Sequence, residues 1–183
     1  NIAAASMIDL RSAEQDFNKA IELKPDFELA YRNRGIVRYY QDSLEKAYKD
    51  LLMATQMEPK DDAAHYYLAK TLQKEKLYNI AIQFYDNSIK LVNYKSDYFL
   101  DRAVCKLDLQ DFNGARSDLY QALQLTNSKG LIYYHMARLE ASQANKTETF
   151  NALRNAKKYG LFNDVKYFSY IAKDIYYASW SKD

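Results

Sequence analysis

Small and large hydrophobic residues recur along this chain with a 34-residue period. Small residues fill two columns, Ala13, Ala47, Ala81, Ala115 and Thr149, then Ala20, Ala54, Ser88, Ala122 and Ala156. Large residues fill a third column between them, at Phe17, Leu51, Tyr85, Leu119 and Leu153. Positions three, four or seven residues apart lie on one face of an α-helix. The pattern therefore predicts a helix with one buried face that recurs once in every repeat.

Further columns predict a partner helix in each repeat. Rings recur at Tyr31, His65, Phe99, Tyr133 and Tyr167, and small residues follow four positions after the first four rings, at Gly35, Ala69, Ala103 and Ala137. Pro25 and Pro59 are separated by the same period, and each ends a similar phrase. We expect helices at 10–23, 28–41, 45–58, 62–75, 78–91, 96–109, 112–125, 130–143, 147–158 and 164–178. Residues 1–7 are expected to be the tail of a truncated helix, and the chain is predicted to be all-α.

These columns resemble the tetratricopeptide repeat (TPR), a helix–turn–helix unit with the same period. Tyr31, Gly35, Ala47, Leu51 and Pro59 have the family's spacing, and the resemblance covers nearly the whole chain. It implies a single α-solenoid over 1–183, a right-handed superhelix of antiparallel helix pairs. The expected parts are a truncated repeat at 1–27, repeats at 28–61, 62–95 and 96–129, a divergent repeat at 130–163, and a C-terminal capping helix and tail at 164–183. Solenoids need such caps because their end faces would otherwise stay exposed.

Composition and charge argue against several classes of protein. Lys and Arg number 26 against 24 Asp and Glu, a formal net charge of +2, so binding to nucleic acid is not expected. One cysteine excludes an internal disulfide. No apolar run approaches the ~18 residues that span a bilayer, so direct membrane insertion is not expected either. We expect a soluble protein, cytoplasmic or periplasmic, and the first residue, Asn1, is consistent with a fragment of a longer chain.

The residues that usually carry chemistry do not converge in this sequence. His65 lies in the ring column and is expected to pack in the core, and His135 is two repeats away. Cys105 lies in the middle of a predicted helix with no histidine to activate it. The four glycines never cluster, and there is no His-Glu-x-x-His, Cys-x-x-Cys or Gly-x-Ser-x-Gly motif. The sequence therefore predicts a non-catalytic protein without a metal or cofactor.

Two arginines stand where the TPR pattern usually has leucine, and each has an aspartate sixteen residues later. The pairs are Arg34 with Asp50 and Arg102 with Asp118, and the repeat between them has Leu68 and Phe84 at the same places. Because charge accompanies charge and apolar accompanies apolar, we expect buried or half-buried ion pairs that join the two helices of a repeat. The alternative is that the arginines bind a charged ligand.

In the TPR family, the first helices of successive repeats line a concave groove. The corresponding positions here give twelve candidate peptide contacts: Arg32, Asn33, Tyr39, Tyr40, Tyr66, Tyr67, Lys70, Lys74, Asp101, Tyr134, His135 and Arg138. Tyrosine offers a large, rigid contact area with a polar tip, which suits binding sites. The resemblance thus implies a Tyr-rich groove for an extended peptide or a helix. The alternative is that these rings only cover one face of a Tyr-rich solenoid.

One specific use of the family's groove is not expected here, namely a clamp for the acidic C-terminal tail of Hsp70 or Hsp90 chaperones. That clamp needs lysine, asparagine and arginine side chains. Ile36 and Tyr67 stand in place of its two asparagines, and Asp97 and Asp101 in place of a lysine and an arginine. Two carboxylates at those places would repel an acidic tail.

Three functions remain compatible with the sequence. The leading hypothesis is a non-catalytic scaffold that binds a protein or peptide partner of unknown identity. The second is an assembly or spacer module of a larger multidomain protein, acting by self-association or by packing through its terminal helices. The third is an accessory domain of an enzyme, a kinase or an envelope protein whose catalytic or anchoring part lies outside residues 1–183.

Overall fold

The computed structural model describes residues 2–161, with side chains from residue 9 onward. Over this range the chain forms helices joined by short connections: α1 (Ile2–Leu23), α2 (Glu28–Tyr40), α3 (Leu44–Met57), α4 (Asp62–Lys74), α5 (Tyr78–Leu91), α6 (Ser96–Asp108), α7 (Phe112–Leu125), α8 (Gly130–Ser142) and α9 (Lys146–Lys158). The predicted all-α fold class is confirmed. The expected terminal helix at 164–178 lies outside the described residues.

The period of the sequence reappears in the backbone. α2, α4, α6 and α8 begin at Glu28, Asp62, Ser96 and Gly130, which are evenly spaced at that period. Two residues after each of these helices ends, the backbone is left-handed, with φ of 60°, 60°, 62° and 59° at Asp42, Lys76, Gln110 and Ala144. The next N–H donates to a carbonyl five residues back, as Ser43 does to Arg38 at 2.9 Å. This Schellman motif ends the helix and turns the chain into its antiparallel partner.

The N-terminal helix differs from the sequence-based expectation. The sequence pattern predicts the tail of a helix at 1–7 and a second helix at 10–23, but α1 runs without a break over Ile2–Leu23. Ile8 stands one full repeat before Asp42, where a left-handed residue would end the first helix. A β-branched residue strongly disfavours that conformation, and the alanines at 3–5 favour helix. The chain therefore continues as one helix instead of turning.

The helices form two compact units, of which the first ends at Asn93. In this N-terminal unit α1 packs on α2, α2 on α3, α3 on α4 and α4 on α5, and α2 also contacts α4. The small-residue columns form the closest helix contacts, because Ala47, Ala54 and Ala81 are fully buried. Leu51 and Tyr85, also fully buried, fill the space beside these small side chains.

The C-terminal unit begins at Tyr94. Here α6 packs on α7, α7 on α8 and α8 on α9, and α6 also contacts α8. The same columns are buried again, at Ala103, Ala115, Leu119 and Ala122. At the α8–α9 contact, a core of Ala137, Ala141, Ala152, Leu153 and Ala156 is covered by Tyr133, Tyr134, Met136 and Leu161. The columns are therefore buried in α3, α5, α7 and α9, whereas their members in α1, Ala13, Phe17 and Ala20, are half-buried.

Candidate functional site

Four of the predicted groove tyrosines meet in the N-terminal unit. α2 places Tyr39 and Tyr40 at its C-terminal end, and α4 places Tyr66 and Tyr67 beside them; we call these four rings the tyrosine cluster. Ring centroids lie 5.9 Å apart for Tyr39 and Tyr67 and 6.2 Å apart for Tyr40 and Tyr67, with both pairs edge to face. Such pairs attract because the positive edge of one ring meets the negative face of the other. The contact between α2 and α4 therefore assembles one continuous aromatic patch.

The four rings differ in their access to solvent. Tyr39 and Tyr66 are buried, and Tyr66 also packs against Tyr85 of α5 at a centroid distance of 5.9 Å. Tyr40 is 58% exposed and Tyr67 is half-buried. The hydroxyl oxygens of Tyr40 and Tyr67 lie 3.3 Å apart. Tyr39 and Tyr66 are thus the floor of the tyrosine cluster, while Tyr40 and Tyr67 present its accessible surface.

Two lysines of α4 lie over these rings. Lys70 Nζ is 5.3 Å from the ring centroid of Tyr66 and 5.7 Å from that of Tyr39, and Lys74 Nζ is 4.3 Å from Tyr39. An ammonium over an aromatic face gains about 0.5–1 kcal/mol at an exposed site. Lys74 also forms an ion pair with Asp42 at 3.0 Å. The patch therefore has a positive edge whose charge Asp42 partly offsets.

Arg32 and Asn33, also predicted groove residues, are engaged within the protein. Arg32 Nη1 donates to Asp61 Oδ2 at 2.8 Å, and Arg32 Nε donates to Asn33 Oδ1 at 3.3 Å. Asp61 is the N-cap of α4 and accepts the backbone N–H groups of Ala63 and Ala64. These two groove candidates therefore help to fasten α2 to the start of α4.

A second carboxyl lies beside Asp61. Burial raises the pKa of Glu28 to about 7, and both a hydrogen bond with Asp61 and its negative charge act in the same direction. Burial by itself would also raise the pKa of Asp61, but hydrogen bonds with Glu28, Ala64 and Arg32 outweigh it and hold that pKa below its ordinary value. Glu28 therefore keeps its proton up to near-neutral pH and shares it with Asp61.

Glu28→Gln is expected to stabilise the protein at alkaline pH. Between the ordinary pKa of 4.5 and the folded pKa of about 7, the folded state holds a proton that the unfolded state has lost. Wild-type stability therefore falls as pH rises through this window. Glutamine stays neutral, and its amide can donate to Asp61. Because Glu28 is only partly buried, we expect a gain of about 1–2 kcal/mol at pH 8 and almost none at pH 4.

Urea unfolding followed by circular dichroism at both pH values measures this difference. Glu22, which is exposed on α1, supplies the matched control, because Glu22→Gln makes the same exchange at an exposed site of the same unit. An equal gain for Glu28→Gln at pH 4 and pH 8 would contradict a shared proton.

Asp101, Tyr134, His135 and Arg138, the remaining groove candidates, belong to the C-terminal unit. Arg138 Nη2 donates to Asp108 Oδ1 at 3.2 Å, and Arg138 Nη1 lies 3.3 Å from His135 Nδ1. Burial, together with the charge of Arg138, lowers the pKa of His135 to about 3. The imidazole is therefore neutral at pH 7, and its Nδ1 can accept from Arg138. The rings of Tyr134 and His135 meet edge to face, with centroids 5.1 Å apart.

The predicted partners Arg34 and Asp50 lie together between α2 and α3. Arg34 donates from Nε and Nη2 to the two oxygens of Asp50, at 2.8 and 2.7 Å. Arg38, one turn further along α2, donates to Asp50 Oδ2 at 2.6 Å and to Glu14 Oε1 of α1 at 2.8 Å. Arg34 Nη1 donates in turn to Asn18 Oδ1 at 2.8 Å. The ion pair is therefore part of a network that joins α1, α2 and α3.

Arg102 and Asp118 form the corresponding contact between α6 and α7. Arg102 donates from Nε and Nη2 to the two oxygens of Asp118, at 2.8 and 2.6 Å, and Lys106 Nζ lies 2.8 Å from Asp118 Oδ2. Sequence reasoning missed the second cation of each network, Arg38 and Lys106. The available signal was their spacing, since each follows the first cation by four residues on the same helix face.

Two residues considered for chemistry are packed inside the protein. Cys105 is fully buried, and this burial, together with the charges of Asp101 and Asp108, raises the pKa of its thiol to about 12. His65 is buried, with Nε2 3.0 Å from the carbonyl oxygen of Pro59. Within residues 2–161, no three His, Cys, Asp or Glu side chains are arranged to hold a metal ion. No helix in the described part of the chain is both long enough and apolar enough to cross a membrane.

Comparison with known proteins identifies the fold. No protein-family profile and no curated protein matches the sequence. Among solved structures, MamA matches with a TM-score of 0.78 and 12% identity, over 85% of this chain and 91% of its own. YrrB, a TPR protein with an unusual peptide-binding site, matches with a TM-score of 0.74 and 17% identity, over 87% and 82%. TTC0263, a thermophilic TPR protein of Thermus thermophilus, matches with a TM-score of 0.72 and 14% identity, over 94% and 93%. The chain therefore has the all-α fold of the tetratricopeptide-repeat proteins.

Proposed function

We propose that this protein is a non-catalytic interaction scaffold whose tyrosine cluster binds a peptide or a helix of a partner protein. The observation that carries the proposal is the aromatic patch on α2 and α4, with Tyr40 and Tyr67 at its accessible surface. The fold supports the general class, since YrrB has a peptide-binding site and Cut9 forms a hetero-tetramer with Hcn1.

The ligand that best fits this patch is a segment with hydrophobic anchor residues. Tyr40 and Tyr67 offer ring surface for apolar side chains, and their hydroxyl groups can exchange hydrogen bonds with a peptide backbone. The buried rings of Tyr39 and Tyr66 hold the accessible pair in place, so little conformational entropy is lost when a ligand binds. Lys70 and Lys74 add a positive edge that suits a carboxylate beside the anchor. The groove candidates of the C-terminal unit stay predictions from the sequence: Asp101, Tyr134, His135 and Arg138.

The proposal predicts that the double variant Tyr40→Ala, Tyr67→Ala loses its partner. An aromatic anchor at the centre of an interface contributes about 2 kcal/mol or more, which is about thirtyfold in affinity, so removing both rings should weaken partner binding by up to about a thousandfold. Affinity capture from a lysate of the source cells, read by mass spectrometry, identifies proteins that the wild type retains and the variant does not. Calorimetry with the captured partner then measures the loss of affinity.

The matched control is Tyr94→Ala with Tyr120→Ala, which removes two exposed rings outside the tyrosine cluster. Wild type and control should retain the same partner, and all three proteins should keep the same helical circular dichroism. Equal retention by the cluster variant would show that the partner binds elsewhere. A dimer in light scattering that retains no partner would favour the assembly function instead.

A further inference from the structure

An apolar depression of about 320 Å³ lies on the N-terminal unit, away from the tyrosine cluster. The start of α3, the end of α4 and the start of α5 surround it, and its lining includes Glu45, Tyr48, Leu72, Glu75, Leu77 and Ile80. None of its lining residues belongs to the tyrosine cluster. Leu77 is 47% exposed and Ile80 is 45% exposed, so the rim offers two large hydrophobic side chains to solvent.

Leu77 occupies the N-cap of α5, a position that favours side chains able to accept a hydrogen bond. The equivalent N-caps of α3, α7 and α9 are Ser43, Asp111 and Asn145. Asp111 caps its helix by accepting from the N–H of Gly114 at 2.9 Å, whereas the side chains of Ser43 and Asn145 make no cap bond. All three are polar, so the departure at α5 is that Leu77 cannot accept such a bond at all and exposes an apolar side chain instead.

Ile80, on the first turn of α5, breaks the repeat in the same way. The residues at the equivalent place in α3, α7 and α9 are Lys46, Gly114 and Glu148. None of these is a large hydrophobic residue, and an exposed first turn gives no folding reason for one. Leu77 and Ile80 thus both place an exposed apolar side chain where the other repeats have none. Two neighbouring side chains of this kind indicate a surface that is used for binding.

The floor of the depression departs from the repeat as well. Tyr48 of α3 and Leu72 of α4 are 24 positions apart in the sequence. Elsewhere in each unit, residues with this spacing and at the same places in the repeat form ion pairs, Glu14 with Arg38 and Arg116 with Glu140. An ion pair closes this edge of the contact between α1 and α2 and of the contact between α7 and α8. The same edge of the contact between α3 and α4 is apolar and open.

We propose that this depression binds one large apolar or aromatic side chain of a partner peptide that carries a lysine or arginine beside it. A volume of about 320 Å³ admits a single such side chain. The charged residues of the lining are the carboxylates Glu45 and Glu75, with no cation among them, so a neighbouring positive charge is favoured. Lys49 pairs with Glu45 at 2.6 Å, but this exposed pair is weak and a peptide cation can replace it.

The test uses the full chain with methyl-labelled leucine and isoleucine, titrated in NMR with the capped tripeptide acetyl-Lys-Trp-Lys-amide. The methyl signals of Leu72, Leu77 and Ile80 should shift and saturate with the probe. Acetyl-Lys-Ala-Lys-amide lacks the anchor, and acetyl-Glu-Trp-Glu-amide reverses the charge, so each should bind about tenfold more weakly or not at all.

Two variants copied from the protein's own repeats test the site without disturbing the fold. Leu77→Asp introduces the residue of the α7 cap, and Ile80→Lys introduces the residue of α3. Leu77→Asp should raise the melting temperature, because aspartate can cap α5, and it should reduce the shifts at Leu72, because it removes apolar rim surface although its carboxylate still attracts the lysines of the probe. Ile80→Lys should abolish the shifts, since it removes rim surface and adds a repelling cation.

Three results would overturn the proposal. The first is an absence of shifts in the wild type, and the second is unchanged binding in both variants. The third is a shift that depends on protein concentration without any probe, which would assign the depression to a second copy of the chain. The variant Tyr40→Ala, Tyr67→Ala should bind the tripeptide normally, so failure of the tyrosine-cluster proposal and failure of this one are distinguishable.

Discussion

Asp118→Ala is expected to lower the free energy of unfolding by about 3–5 kcal/mol, because it leaves two cations without the carboxylate that pairs them. Asp118 is 3% exposed and receives both a bidentate Arg102 and Lys106. The Coulomb attraction in such a network offsets the cost of burying its charges. When the anion alone is removed, that cost remains and the compensation is lost.

Replacing the whole network is expected to cost far less than breaking it. The triple variant Arg102→Leu, Lys106→Leu, Asp118→Phe installs the residues that the preceding repeat has at these places, Leu68, Leu72 and Phe84. We expect its stability to lie within about 1 kcal/mol of the wild type, or above it. The double variant Arg102→Leu, Asp118→Phe keeps Lys106 and should recover only part of the stability that Asp118→Ala loses. The ammonium of Lys106 is mostly buried and no longer has the carboxylate of Asp118 beside it.

Urea unfolding of the wild type, Asp118→Ala, the double variant and the triple variant measures this series. The exposed aspartate Asp111 is not a suitable control, because it caps α7. Asp16, exposed on α1 in the same column of the repeat as Asp118, is suitable, and Asp16→Ala should change stability by about 0.5 kcal/mol or less. A triple variant no more stable than Asp118→Ala would show that the network is not replaceable by apolar packing.

The helix positions were predictable because one physical constraint sets them in every repeat. Where two helices come closest, small residues let the backbones approach and a large residue fills the remaining space. Ala47, Leu51 and Ala54 follow this pattern, and all three are fully buried. The α1 boundary was not predicted, because it depends on a turn that does not form. The left-handed positions that end these helices hold residues such as Gln110 and Ala144 instead of glycine. Residue type therefore does not mark the turn, and only the place in the repeat does.

The candidate site was predictable in its residue types and less so in its geometry. Family positions place Tyr39 and Tyr40 side by side in a groove, but adjacent residues of a helix point about 100° apart. One of them must therefore turn toward the core, and in this protein it is Tyr39, as it is Tyr66 on α4. The engagement of Arg32 by Asp61 has the same origin, since it depends on how two helices meet rather than on either sequence segment alone.

The apolar depression is marked by residues that differ from the repeat pattern, not by residues that follow it. The residues that the members of a column share do not mark Leu77 or Ile80. They become conspicuous when each column is searched for its one exception, and exposure then separates core exceptions from surface ones. Arg38 and Lys106 are not single exceptions, because their column otherwise holds Leu72 and Glu140, and only their spacing of four residues from Arg34 and Arg102 marks them.

Gly35→Ala is expected to destabilise the protein by about 1–3 kcal/mol, although alanine is the better helix former by about 1 kcal/mol. A β-carbon at Gly35 would lie 2.6 Å from Leu51 Cγ and 3.2 Å from Asp50 Cβ. Leu51 is fully buried and Asp50 is held by two arginines, so neither side chain can move aside easily. α2 and α3 must therefore separate, which strains the network at Asp50.

The sign of this effect should reverse when Leu51 is shortened. Leu51→Ala alone should cost about 2–5 kcal/mol, because it leaves a cavity. In that background, Gly35→Ala meets no Cγ, and its gain in helix propensity should make the double variant more stable than Leu51→Ala alone. Ala103→Gly, the opposite exchange in the same column of the C-terminal unit, serves as the control and should destabilise by about 1–2 kcal/mol, because it loses both helix propensity and a buried methyl group. Urea unfolding of these four variants measures the change in stability. It distinguishes a clash with the Leu51 side chain from a site that tolerates no alanine whatever its neighbour. If Gly35→Ala were equally harmful with and without the Leu51 side chain, the close approach of α2 and α3 would not be its cause.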